Sequence, residues 1–176
     1  MTKGKLKLWE TVLFALLGAL MFTSKQLLEF LPNIHMLGML IVLYTRLFRV
    51  KALIPIYVFV LLEGMYAGFN IWWVPYLYIW AVLWAAAMLI PGNLKPLPLA
   101  ICFMAVCSLH GFLYGTLYAP FQALAFGLTF KGMIAWIIAG LPYDAVHGIG
   151  NLFMGALIYP IYIPMKKAID RFYNMA

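Results

Sequence analysis

Charge is what this chain has least of. Only 10% of its 176 residues are charged, and only five are acids. No block of mixed polar composition is long enough for a soluble catalytic module, which needs roughly 100 residues. There are two cysteines. Cys102 and Cys107 fall on one expected helix about 7.5 Å apart along its axis. That is too far for an easy disulfide, and the spacing does not suit a metal, so both are expected to be buried structural thiols. Walker A, G-x-S-x-G, H-E-x-x-H and C-x-x-C motifs are all missing, which leaves no recognisable nucleotide loop, nucleophile elbow or zinc helix. Ser108 lies too close to His110 for the two to face each other on a helix.

What the chain does have is apolar surface. It is 66% hydrophobic, with a mean hydropathy of +0.98, more than a soluble domain of this length can hide. The composition predicts an all-α integral membrane protein in a lipid bilayer. The basic start and apolar run of "MTKGKLKLWETVLFALLGALMF" have the outline of a signal peptide. The run passes Met21 without a convincing small-residue cleavage site, so a retained first helix is expected.

A span needs about 20 mostly apolar residues. Six stretches fit, at about 8–30, 34–48, 52–71, 75–90, 97–118 and 142–164, giving a six-transmembrane-helix bundle as a single domain over 1–176. Residues 119–141 are apolar and glycine-punctuated. They suit an interfacial or re-entrant segment, or a continuation of either neighbouring helix. The net charge of +7 sits in short inter-span segments and reports orientation rather than nucleic-acid binding. With the N-terminus inside, Lys3, Lys5, Lys7, Arg46, Arg49 and Lys51 are inside, as are Lys95, Lys166, Lys167 and Arg171. Of the 12 basic residues, only Lys25 and Lys131 fall outside. Both termini are therefore expected in the cytoplasm.

The unusual polar residues collect near the expected outer ends of the spans. Asp144, His147 and Asn151 recur at i, i+3 and i+7 on the last span and share one helical face, with Gly148 and Gly155. Glu63, Tyr66 and Asn70 repeat that spacing on the third span. His110, Tyr114 and Tyr118 stripe the fifth. The stretch "NIWWVPYLY" adds Trp72, Trp73, Tyr76 and Tyr78, and His35 opens the second span. Polar groups in a membrane must be paired or face water, so three stripes at one depth predict a shared pocket open to the outside. Aromatic walls suit a small ring-containing molecule, and charged acids would suit a cationic or amine-bearing one.

Each feature also has a purely structural reading. Asp144 can cap a helix, His147 and Asn151 can bond neighbouring helices, and Glu63 can pair with a lysine or histidine. The tryptophans and tyrosines around 72–78 can form an interfacial belt. No metal or cofactor is expected.

The first span contains "VLFALLGALMF", where Ala15 and Ala19 form an A-x-x-x-A face beside Gly18, a spacing that admits a close helix neighbour. With "LPYDAVHGIGNLFMGALI" at the last span, six spans and an outer polar pocket, the whole chain resembles the substrate-binding S component of an energy-coupling factor (ECF) transporter. The resemblance implies a non-enzymatic, high-affinity subunit of a prokaryotic plasma-membrane importer, capturing a vitamin-like micronutrient from outside. It implies that the Ala15, Gly18 and Ala19 face meets a membrane coupling subunit, and that two cytoplasmic ATPase subunits supply the energy. The S component is then expected to topple in the membrane to deliver its ligand. Glu63 has no counterpart in the family's usual site, and thiamine-like, pyridoxine-like and nucleobase-like ligands all stay open. The alternatives are a stand-alone carrier using Glu63, Asp144 and His147 for protons, or a small membrane enzyme using Asp144 and His147.

Overall fold

The computed structural model describes residues 6–175, and among them every regular element is helical. Lys3 and Lys5 lie outside the described residues. The α-helices are α1 (Leu8–Leu27), α2 (Leu37–Phe48), α3 (Leu53–Ala67), α4 (Tyr76–Met88), α5 (Pro96–Phe112), α6 (Tyr114–Phe126), α7 (Phe130–Ala156) and α8 (Ile158–Met175). Five helical stretches are long and apolar enough to cross a membrane: Leu8–Leu27, Leu37–Ala67, Ile71–Met88, Pro96–Phe126 and Phe130–Ala156. The chain is thus built as a multi-pass membrane protein.

Local chemistry sets the element ends. Glu10 accepts from the Lys7 backbone N–H at 3.0 Å, closing the first turn of α1. Beyond Leu27, Pro32 and the left-handed Asn33 (φ 61°) turn the chain into α2. Arg49, also at positive φ (54°), breaks the second stretch and leads through a 3₁₀ turn, Arg49–Ala52, into α3. Gly127 takes the left-handed conformation that ends α6. Thr129 then caps α7 by accepting from the Gly132 N–H at 3.2 Å.

Two expected boundaries move. Pro142 reads as a helix start in the sequence, yet α7 begins at Phe130 and runs through it. A membrane helix tolerates an internal proline when neighbouring groups re-satisfy the freed carbonyl. Pro120 reads as a stop, yet it lies inside α6. The break comes earlier, at Leu113. Residues 119–141 are therefore helix on both sides of the 127–129 turn, continuing both neighbours as one hairpin. The expected last span, 142–164, divides at Leu157 between α7 and α8.

Packing follows apolarity. Ten of the 12 residues of α2 are buried, as expected for a helix apolar all round. It is the central helix, touching α4, α5, α7 and α8. α1 packs on α3, and α5 packs antiparallel along α7. Three contacts fix the α5–α7 register. A Cβ added at Gly111 would lie 2.8 Å from the Gly148 Cα, one at Gly155 would lie 2.8 Å from the Met104 Cα, and one at Gly115 would lie 2.5 Å from Asp144 Oδ2. Glycines let these helices touch backbone to backbone.

The basic residues Arg46, Arg49, Lys51 and Lys95 gather at one end of the bundle, near the 49–52 turn and the α4–α5 loop. At that end α8 reaches from Phe103, where Tyr162 packs edge-on at a ring-centroid distance of 5.9 Å, back to α1. There the Tyr173 hydroxyl donates to Glu10 at 2.7 Å, and Lys51 pairs with the same carboxylate. The 28–36 loop closes the opposite end.

Candidate functional site

Beneath the 28–36 loop is a cavity of about 300 Å³. Its polar lining comes from Lys25, Glu29, Asn33, His35, Tyr76, Tyr114 and His147. Two of these, Tyr114 and His147, belong to the stripes expected from the sequence and a third, Tyr76, to the "NIWWVPYLY" stretch, and the three arrive from three different helices. Lys25 sits near the end of α1, and His35 sits just before α2.

The rings form a connected cluster. His147 meets His35 edge-on at a centroid distance of 4.7 Å and Tyr114 at 5.0 Å. Trp80 lies behind them, 5.4 Å from Tyr76, 5.8 Å from both Tyr114 and His110, and 6.2 Å from His35. His110 Nε2 donates to the Ile79 carbonyl at 3.1 Å. That bond leaves Nδ1 as a lone-pair acceptor with no partner. Burial, with the Lys25 charge and His110 adding to it, pushes His35 down to about 4, so its imidazole is neutral at physiological pH.

The two acids expected from the sequence, Glu63 and Asp144, do not line this cavity. Glu63 is buried, with its side chain only 1% exposed. Its Oε2 pairs with Lys25 Nζ at 2.7 Å, and its Oε1 accepts from Gln26 at 3.1 Å. Asp144 is buried as well, and both its oxygens accept from the Gly115 backbone N–H, at 3.0 and 3.1 Å. That N–H is one of the unpaired donors at the start of α6. Asp144 is therefore a cap, acting on α6 from α7 rather than on its own helix. Asn151, one turn beyond His147 on α7, is buried between Gly38 and Gly111, and its Nδ2 has no partner.

The other candidates spread out. Tyr118 stacks on Trp136 at 6.0 Å and donates its hydroxyl to the Trp72 carbonyl at 3.0 Å. Trp72 in turn meets Tyr76 edge-on at 5.5 Å. These form an aromatic tier next to the cavity. Trp73 donates to the Val60 carbonyl at 2.7 Å, a packing role. Tyr66 is 66% exposed and touches Phe22, and Asn70 is exposed past the end of α3. Neither reaches the cavity. On α1, Ala15 is exposed and Ala19 half-buried. Gly18 points the other way, where an added Cβ would lie 2.5 Å from Val58 on α3.

No protein-family model, no curated protein and no solved structure matches the chain. Its chemistry is therefore argued from the cavity. The sequence marks Lys25 as one of two outer cations and His35 as one of the outer polar groups, without assigning either to the pocket. The signal for Lys25 was present: it is one of two outer cations, and Glu63 is the lone acid of α3. The signal for His35 was weaker, because a loop residue has no helical stripe to join.

A second, larger cavity of about 580 Å³ lies between the start of α1 and the end of α8, lined by Leu8, Val12, Leu16, Ile169 and Phe172 among others. Its lining is almost wholly apolar; Trp9 and Tyr173 are its two polar-tipped residues, and the Tyr173 hydroxyl is already given to Glu10.

Proposed function

We propose that the chain is the substrate-binding S component of an ECF-type importer in a prokaryotic plasma membrane. It captures a small ring-containing, vitamin-like molecule from outside and does no chemistry on it. The carrying observation is the cavity between the 28–36 loop and the His35, Tyr76, Tyr114 and His147 rings, at the end of the bundle opposite the basic cluster. The basic residues favour the cytoplasmic side, so this orientation opens the cavity outward. A cavity near 300 Å³ falls at the small end of small-molecule sites, which span roughly 300–1,000 Å³. Energy would come from a membrane coupling subunit and two cytoplasmic ATPase subunits, in keeping with a sequence that has no nucleotide loop.

The α1 surface supports a coupling role. Val12, Ala15 and Leu16 are exposed there beside the apolar groove shared with α8. Gly18 is excluded from that surface by its contact with α3. Reconstitution tests the reading. With coupling and ATPase subunits present, Ala15→Trp should abolish ATP-driven uptake and spare ligand binding by the isolated chain. Equal loss of both would remove the α1 face from the account. Uptake by the purified chain alone, without ATP, would make it a stand-alone carrier instead.

A further inference from the structure

Among the described residues, eight buried side-chain polar atoms have no hydrogen-bond partner. Four of them fall in one connected ring cluster, His35 Nδ1, Trp80 Nε1, His110 Nδ1 and His147 Nε2, and a fifth, Asn151 Nδ2, lies one helical turn beyond His147. Folded proteins leave few such atoms, because each buried unmade bond is costly. Two of them, His35 Nδ1 and His147 Nε2, belong to residues that line the cavity, and there they mark where a partner is missing. At the same place the charges are already matched. Lys25 is neutralised by Glu63, and Asp144 is held by Gly115. The one acid of the lining, Glu29, is exposed on the loop, where solvent screens it.

We propose that the cavity takes an uncharged planar heterocycle carrying a hydrogen-bond donor and acceptor side by side, held at its edge by His147 and His35. This deepens the capture reading above and rests on it. A neutral imidazole offers one donor and one acceptor, so the two histidines suit an amide-like or amidine-like edge. The rings stand nearly perpendicular, with His35 and His147 at 75° and Tyr114 and His147 at 61°. Such a corner lets one wall stack on the ligand's face while another meets its rim. A permanent cation would find both buried carboxylates, Glu63 and Asp144, engaged elsewhere, and the one acid of the lining, Glu29, exposed on the loop. A carboxylate-bearing ring would compete with Glu63 for Lys25 and leave that buried acid without its cation. The cavity volume, about 300 Å³, limits the ligand to one or two fused rings.

Calorimetric titration of the purified full chain tests this with rings matched in shape and differing in charge. Nicotinamide, cytosine and adenine are the uncharged probes. 1-Methylnicotinamide and thiamine are the cations, and nicotinate and orotate are the anions. The best uncharged probe should bind at least about ten-fold tighter than any charged one, since one lost buried hydrogen bond or one unpaired charge is worth about that factor. His147→Ala should weaken it by about ten-fold. His35→Ala, in a loop where folding is less at risk, should weaken it too. A charged probe that ranks first and is lost in His147→Ala would overturn the ligand class and leave capture at this cavity standing. Uncharged binding that survives both substitutions would remove the cavity from capture altogether. No binding by any probe overturns the ligand class, and a different compound retained by the protein would then keep the capture reading alone.

Discussion

At Asp144 a single carboxylate decides how two helices join. α5 and α6 are interrupted at Leu113, and Asp144 on α7 accepts the Gly115 N–H that the interruption exposes. Asp144→Ala should therefore cost about 1–2 kcal/mol of stability, as for a lost N-cap, and leave ligand affinity near wild type. Thermal unfolding and calorimetry on the same sample separate the two. A large loss of affinity at unchanged stability would return Asp144 to the binding surface. His35 gives a second residue-scale prediction. Its folded value, about 4, lies below the unfolded 6.5. Its contribution to stability is then complete above the unfolded value and is lost as pH falls from about 6.5 toward about 4. Unfolding temperatures over that range should drop more steeply for the wild type than for His35→Phe. Parallel curves would mean that His35 is not held neutral by burial.

Helices carry the next level. The i, i+3, i+7 stripe was a sound guide on α7, where Asp144, His147 and Asn151 are all buried on the face toward α5. The same spacing misled on α3. Glu63 is buried, but α3 ends at Ala67 and Gly68 turns the chain at φ 90°, so Asn70 never joins the helical face. Periodicity reports a shared face only while the helix lasts. Prolines misled in the opposite sense, because Pro120 and Pro142 sit inside helices whose ends are set by Leu113, Gly127 and Thr129. The glycine contacts between α5 and α7 give a test at this scale. Gly111→Leu forces backbones apart and should cost about 1–3 kcal/mol. Gly140, also on α7, has open space where its Cβ would stand, and Gly140→Leu should unfold at the wild-type temperature. Equal destabilisation by both would contradict the close α5–α7 contact.

For the molecule as a whole, composition made the membrane class plain, and polar residues clustered by depth pointed to a pocket at one end. What could not be read was which of those polar groups face the hollow. That depends on long-range pairing: Lys25 with Glu63 across α1 and α3, and Asp144 with Gly115 across α7 and α6. Each pairing takes an acid out of the expected lining and leaves the imidazoles and tyrosines. Sequence spacing along one helix carries no record of such partners on another. The most direct measurement is native mass spectrometry of the chain released gently from membranes, wild type beside His147→Ala. The cavity account predicts that the wild type carries one small molecule per chain and that the variant has lost it. A wild type with no bound molecule, or a variant retaining it equally, would contradict the account.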